Sequence, residues 1–193
     1  MSKEATEEST ESRLEAAALR LLDRDGVLAG LNLREVAQEA GVTRGLVYHH
    51  FGSRRSLMRS ALDRHIRRRR STVVRREKLP ARERLDSFFK ASINDPTSIR
   101  LLTLLLLDGD EGVSALPYSR ESREADLRDI EAGLLASDID VDAIQGGLIA
   151  AVYGWALYRT TFAASLGRRP EELDPGVLEM ISRMWAKDSQ PPP

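Results

Sequence analysis

No cysteine occurs among the 193 residues, which excludes disulfides, thiol nucleophiles and thiolate metal sites together. Histidine is limited to His49, His50 and His65. No two of these stand three or four residues apart, and neighbours on a helix diverge by about 100°, so no metal site is expected, and no cofactor. Asp108, Asp110 and Glu111 lie among Gly109 and Gly112 but lack the ligand pattern of a calcium loop. Phosphate-cradling glycine loops, dinucleotide fingerprints and serine elbows are absent. The chain is therefore not read as an enzyme. Strand-like alternation of useful length and internal repeats are also missing. The most apolar run, residues 99–107, is too short to span a bilayer. The opening MSKEATEESTES is polar and acidic, unlike a secretory leader, and the protein is read as cytoplasmic.

What is present is helical periodicity and an uneven charge. The net charge is only −1. Residues 13–80 nevertheless carry 16 Lys and Arg against 7 Asp and Glu, while residues 81–193 carry 12 against 19. A basic third joined to an acidic remainder suggests a polyanion-binding head on an unlike body.

The periodicity predicts an all-α chain of about nine helices. Residues 1–12 read as a disordered tail. Ser12 and Glu15 fit a capping box opening a helix over 13–25 with Leu14, Ala17, Ala18, Leu21 and Leu22 on its apolar face. Asn32 with Glu35 caps a short second helix that Gly41 stops. Thr43 can cap a third helix through about His49, and Ser53 a fourth to about residue 77. Further helices are expected near 82–93, 97–107, 119–136, 141–166 and 171–187, with 189–193 a frayed tail. The domain reading is a head over 13–60 and a body over 61–188.

Residues 33–50 have the arithmetic of a helix-turn-helix. Ala37 is small where two helices cross closely, and Gly41 stands where a left-handed residue turns the chain. Val42 and Val47 are apolar where the second helix must pack on the first. An ordinary αα-hairpin shares this pattern, but the arginines favour a groove-entering helix. Arg44, Arg54 and Arg55 occupy the first turns of two helices, the end where the dipole disfavours cations. Such ends welcome an external anion. The run HIRRRRSTVVRR, residues 65–76, is read instead as a solvated and helix-pairing face, because Arg70 lies about 24 Å along the helix from Arg54.

The stretch LNLREVAQEAGVTRGLVYHHFGSRRSLM resembles the DNA-binding segment of the tetracycline-repressor (TetR) family. The match lies in Val36, Ala37, Ala40, Gly41, Val42, Gly45, Tyr48, His50, Phe51, Ser53 and Leu57. The resemblance implies that Thr43, Arg44, Gly45 and Leu46 face the groove at the start of the recognition helix. It further implies that Tyr48 and His49 contact phosphate or flanking bases, that Asn32 and Leu33 approach phosphate through their backbone, and that Ser53, Arg54 and Arg55 complete the DNA-binding set. Asn32 stands where the family commonly has threonine, and Arg55 where it often has glutamate. Arg44 is the residue expected to read a base, since arginine binds guanine bidentately.

The body offers two further readings. Gly146, Ala150, Gly154, Thr161 and Ser165 form a small-residue stripe, read as a dimer seam with Ile181 and Trp185 of the last helix alongside. Ile144, Leu148, Trp155 and Phe162 form a bulky stripe read as turned inward. A homodimer also follows from the few base contacts that one short helix-turn-helix supplies. The resemblance implies that the body senses a small-molecule effector. Phe88, Leu104, Tyr118, Trp155 and Phe162 are expected to line its cavity, with Arg100 and Asp108 as polar anchors. The run 101–107 is apolar nearly all round and is expected to be buried. The expectation is a ligand-responsive repressor that binds a palindromic DNA operator as a homodimer and is released by an apolar or amphipathic effector. Two alternatives stay open: a DNA-binding regulator without an effector, and a helical-bundle carrier or enzyme.

Overall fold

The structure is a computed structural model and describes residues 9–26 and 31–185. Among them are nine α-helices and no strand: α1 (Thr10–Asp25), α2 (Leu33–Glu39), α3 (Arg44–Phe51), α4 (Arg54–Arg76), α5 (Ala81–Asn94), α6 (Thr97–Leu107), α7 (Ser119–Glu131), α8 (Val141–Ser165) and α9 (Pro170–Trp185). The expected C-terminal tail and residues 1–8 of the expected N-terminal tail lie outside the described residues.

The chain divides into two compact units, one holding the residues up to Arg67 together with Leu101–Val113, the other Arg68–Arg100 together with Ser114 onward. Helices α4 and α6 thus each begin in one unit and end in the other. In the first unit α1 packs on α2 and α2 on α3. Leu14, Ala17, Ala18 and Leu21 of α1 are buried, as are Val36, Ala37, Val47, Leu57, Met58, Ala61 and Leu62. In the second unit α8 packs on α5, α7 and α9, around a core of Ala81, Leu85, Phe89, Leu135, Val152, Trp155 and Ile181.

Several expectations are corrected. Helix α1 starts at Thr10, because Ser9 is its cap and accepts from the Ser12 amide at 3.2 Å. Glu15 closes no capping box: it is buried, and its carboxylate receives the Arg64 guanidinium at 2.9 Å and the Ser60 hydroxyl at 2.5 Å. Helix α7 ends at Glu131, five residues early, because Gly133 turns left-handed (φ 72°) and the Leu134 amide bonds back to the Asp129 carbonyl at 2.8 Å. Leu101, Leu102 and Leu105 are buried as expected, but Leu106 and Leu107 are exposed. Phe162 is not turned inward; 48% of it is exposed. Ile181 is only 1% exposed and belongs to its own unit's core, so it is not available to a seam.

Candidate nucleic-acid interface

The turn between α2 and α3 follows from Gly41. Its φ of 65° is costly for any residue with a Cβ. That conformation lets the Gly41 amide reach the Gln38 carbonyl at 3.1 Å and the Val42 amide reach the Ala37 carbonyl at 2.9 Å. Arg13 of α1 seals the turn by donating to the carbonyls of Ala40 and Gly41. A Cβ on Gly41 would stand 3.1 Å from that guanidinium. Nothing local in the sequence marks this role of Arg13, whose partners lie almost thirty residues away. At the other end of α2, the Asn32 side chain accepts from the Arg34 amide at 2.9 Å and donates to Glu35 at 3.3 Å.

Helix α3 then presents one face outward. Val47 is fully buried, whereas Thr43, Arg44, Gly45, Leu46, Tyr48 and His49 are all exposed. Thr43 stands at the cap position but makes no capping hydrogen bond. The Arg44 guanidinium lies over the Tyr48 ring, 5.2 Å from its centre, and donates to the Tyr48 hydroxyl at 3.0 Å. Gly52, with φ 68°, ends α3. Ser53 immediately precedes α4 and accepts from the Ser56 amide at 3.1 Å. Arg54 and Arg55 follow, both exposed.

The three arginines differ in their partners. Arg44 and Arg54 have no carboxylate partner among the described residues. Arg55 has one in Asp108, to which it donates from Nε at 2.9 Å and from Nη2 at 2.7 Å. Leu33 is half-buried and Asn32 exposed at the start of α2.

Of the residues expected to bind an effector, Leu104 and Asp108 belong to the first unit and Phe88, Arg100, Tyr118, Trp155 and Phe162 to the second, where the Trp155 and Phe162 rings lie 6.3 Å apart. Phe88 and Tyr118 share a neighbourhood in the second unit with two residues that were not singled out, Arg76 and Tyr153. The Arg76 guanidinium lies 5.0 Å from the centre of the Phe88 ring, and the Tyr153 ring is 6.1 Å from Phe88. Burial raises the Tyr118 and Tyr153 phenols above the ordinary tyrosine value, and the Arg76 charge opposes the shift in both. Trp155 belongs to the core and donates its indole N–H to Asp174 at 2.9 Å. Phe162 lies on the surface beside Tyr158. Arg100 is exposed, Leu104 is half-buried, and Asp108 faces Arg55.

Of the expected seam, Gly146, Ala150, Thr161 and Ser165 are exposed and Gly154 is half-buried. A Cβ added at Gly146 or Gly154 would meet nothing within 4 Å. Tyr158, Phe162, Leu166, Met180 and Met184 are further exposed apolar side chains of α8, α9 and the residue after α8. The Trp185 side chain lies outside the described residues. No described helix is long and apolar enough to cross a membrane, and no described group of three or more His, Asp or Glu residues is placed to hold a metal ion.

Residues 14–61 match the profile of bacterial regulatory proteins of the tetR family. No curated protein matches the chain. Solved structures with the same fold include one described as the molecular basis for control of antibiotic production by bacterial hormones, at TM-score 0.72 and 19% identity over 92% of this chain and 98% of that one. A putative TetR-family transcriptional regulator from Rhodococcus sp. gives 0.68 and 21% over 90% and 97%. A gamma-butyrolactone receptor, described as ArpA-like, gives 0.60 and 21% over 94% and 90%. Likenesses at this level of identity establish the fold, and over residues 14–61 the chain is similar to the tetR family of bacterial regulatory proteins.

Proposed function

We propose that this protein is a ligand-responsive transcriptional repressor whose α3 enters the major groove of a palindromic operator, two copies binding together. The observation that carries this reading is the pair of arginines, Arg44 and Arg54, exposed at two successive helix starts without any carboxylate partner among the described residues. A duplex backbone brings the negative charge that both helix ends lack. The exposed run Thr43–Leu46 stands at the leading end of α3, where a recognition helix meets base edges. Tyr48 holds the Arg44 guanidinium over its ring, which preorients the fork for the O6 and N7 acceptors of guanine. His49, Asn32 and Leu33 complete the set of groups toward phosphate. The exposed small-residue stripe of α8, with its apolar extension on α9, is the surface that joins the two copies. The effector is an apolar or amphipathic molecule, and Phe88, Tyr118, Tyr153 and Arg76 supply rings, hydroxyls and one cation for it. A relative of the same fold described as a gamma-butyrolactone receptor supports this sensing role.

Selection of bound duplexes from a random pool tests the reading. A two-fold symmetric site is expected, with half-sites about one helical turn apart. Against single-base variants of that site, Arg44→Ala is expected to lose about 1–3 kcal/mol of discrimination at one base pair per half-site, whereas Arg54→Ala weakens every variant alike. Equal losses across all variants for Arg44→Ala would remove its base-reading role. Compounds that raise the melting temperature should also release the selected duplex.

A further inference from the structure

Two charges in the first unit stand at the wrong ends of their helices. Arg55 lies in the first turn of α4, where the dipole disfavours a cation, and Asp108 immediately follows α6, where it disfavours an anion. Each is the other's partner. Arg55 donates from Nε and Nη2 to Asp108 Oδ2 at 2.9 and 2.7 Å, and from Nη2 to the Asp108 carbonyl at 2.8 Å. One turn along α4, Arg59 donates to Asp110 at 2.6 and 3.2 Å. Arginines four apart on a helix share a face, and the turn that ends α6 matches their spacing. Gly109 is left-handed there, and the Asp110 amide returns to the Leu105 carbonyl at 2.9 Å. Gly112 completes the fit: a Cβ at that position would fall 2.8 Å from Arg59 Nη2.

The two pairs differ in accessibility. The Asp110 side chain is 0% exposed, and it also accepts from the Gly112 amide at 2.8 Å. The Arg55 and Asp108 side chains are 47% and 53% exposed. The inner pair is an anchor, and the outer one faces water, where ion pairs exchange partners readily. The Nε–Nη2 edge that Asp108 fills is an edge by which arginine grips a phosphate.

We propose that Asp108 is an internal competitor for the DNA phosphate that Arg55 would otherwise hold, so that the clasp between the end of α6 and α4 sets the affinity of the head. The proposal rests on the DNA-binding reading of α3 and α4. It separates the three helix-start arginines by role: Arg44 and Arg54 are available to a duplex, while Arg55 is already neutralised by the chain itself.

The full-length protein, titrated with its own selected duplex between about 50 and 200 mM salt, tests this. Asp108→Asn is expected to tighten binding two- to fivefold, the range of an exposed ion pair, and to steepen the slope of log affinity against log salt by about 0.9 for each head that gains a phosphate contact. In an Arg55→Gln background the same substitution should change neither quantity. Asp108→Ser serves as a second variant and should behave as Asp108→Asn does. If Asp108→Asn tightens binding equally in both backgrounds, the effect is general charge and the proposal falls. If it weakens binding, Asp108 positions Arg55 and the proposal also falls. Failure of the wild type to bind any duplex at the lowest salt overturns the DNA-binding reading itself.

Discussion

Arg84 is 4% exposed and reaches three carboxylates. It pairs with Asp126 and Asp129 of α7, and its Nε lies 3.6 Å from Glu77. Asp126 also accepts from the Gln145 amide at 3.0 Å, and Arg128 donates to the Glu77 carbonyl at 2.6 Å. Arg84, Glu77, Asp126 and Asp129 are all buried. Arg84→Ala would leave the acids without their central cation, and removing one partner from a buried pair costs about 3–5 kcal/mol. For a chain of this length each kcal/mol is worth about 2–4 °C of melting temperature, which gives a fall of about 6–20 °C near neutral pH. The loss should depend on pH. Burial already raises the Asp126 carboxyl above its ordinary value, against the opposing influence of Gln145 and Arg84. Without Arg84 it rises further. A group raised on folding stabilises the fold when protonated, and that contribution fades as pH climbs through its folded value. The variant's deficit should therefore be smaller at pH 5 than at pH 8. Thermal unfolding followed by circular dichroism at both values decides the matter. A deficit under about 3 °C at pH 8, or a larger one at pH 5, would refute the reasoning. Arg84→Met combined with Asp126→Asn and Asp129→Asn should regain at least half of the loss, since a neutral replacement removes the uncompensated charges.

Two further predictions address the head and the seam. Gly41→Ala forces a Cβ into a left-handed turn and toward Arg13, so it should cost about 1–2 kcal/mol; an unchanged denaturation midpoint would show that the turn relaxes. Ala150→Arg places a cation on the exposed stripe of α8 without touching its own core, so sedimentation should shift from dimer to monomer while helicity is retained. A dimer that survives would place the seam elsewhere.

Much of the fold was legible because local signals agreed with tertiary ones. Asn32 and Ser53 sit at helix starts and bond there as their side chains suggest, and Gly41 turns where the helix-turn-helix arithmetic needs it. Gly133 carries the same signal, a glycine that turns left-handed where a helix stops, and it ends α7. The stripe on α8 is legible as periodicity, but the sides on which Phe162 and Ile181 lie are not. Periodicity identifies a face, and only the packing partners decide which face turns inward. The roles of Arg13 and Arg84, and the contact of Arg76 with Phe88, are not legible in the sequence for one physical reason: an arginine's role is fixed by what lies at the end of a long side chain, and those partners are distant in sequence. The same holds for Asp108, which the sequence offers as a polar anchor for an effector and which the structure pairs with Arg55.

Local electrostatics asks why any cation should sit at the start of α3 or α4, and the answer differs for each arginine. Arg44 lies over the ring of Tyr48, one turn along its own helix, and has no carboxylate partner among the described residues. Arg55 finds its anion at the end of α6, where the aspartate is equally out of place. The two misplaced charges correct each other, so Arg55 alone is no sign of an external ligand. Arg54 has neither a ring nor a carboxylate among the described residues, on a helix whose cap is satisfied by Ser53. Arg44 and Arg54 are thus the two cations left for a polyanion, Arg44 with its fork already oriented by Tyr48. A measured salt slope should follow Arg54 more closely than Arg55 as long as Asp108 is present.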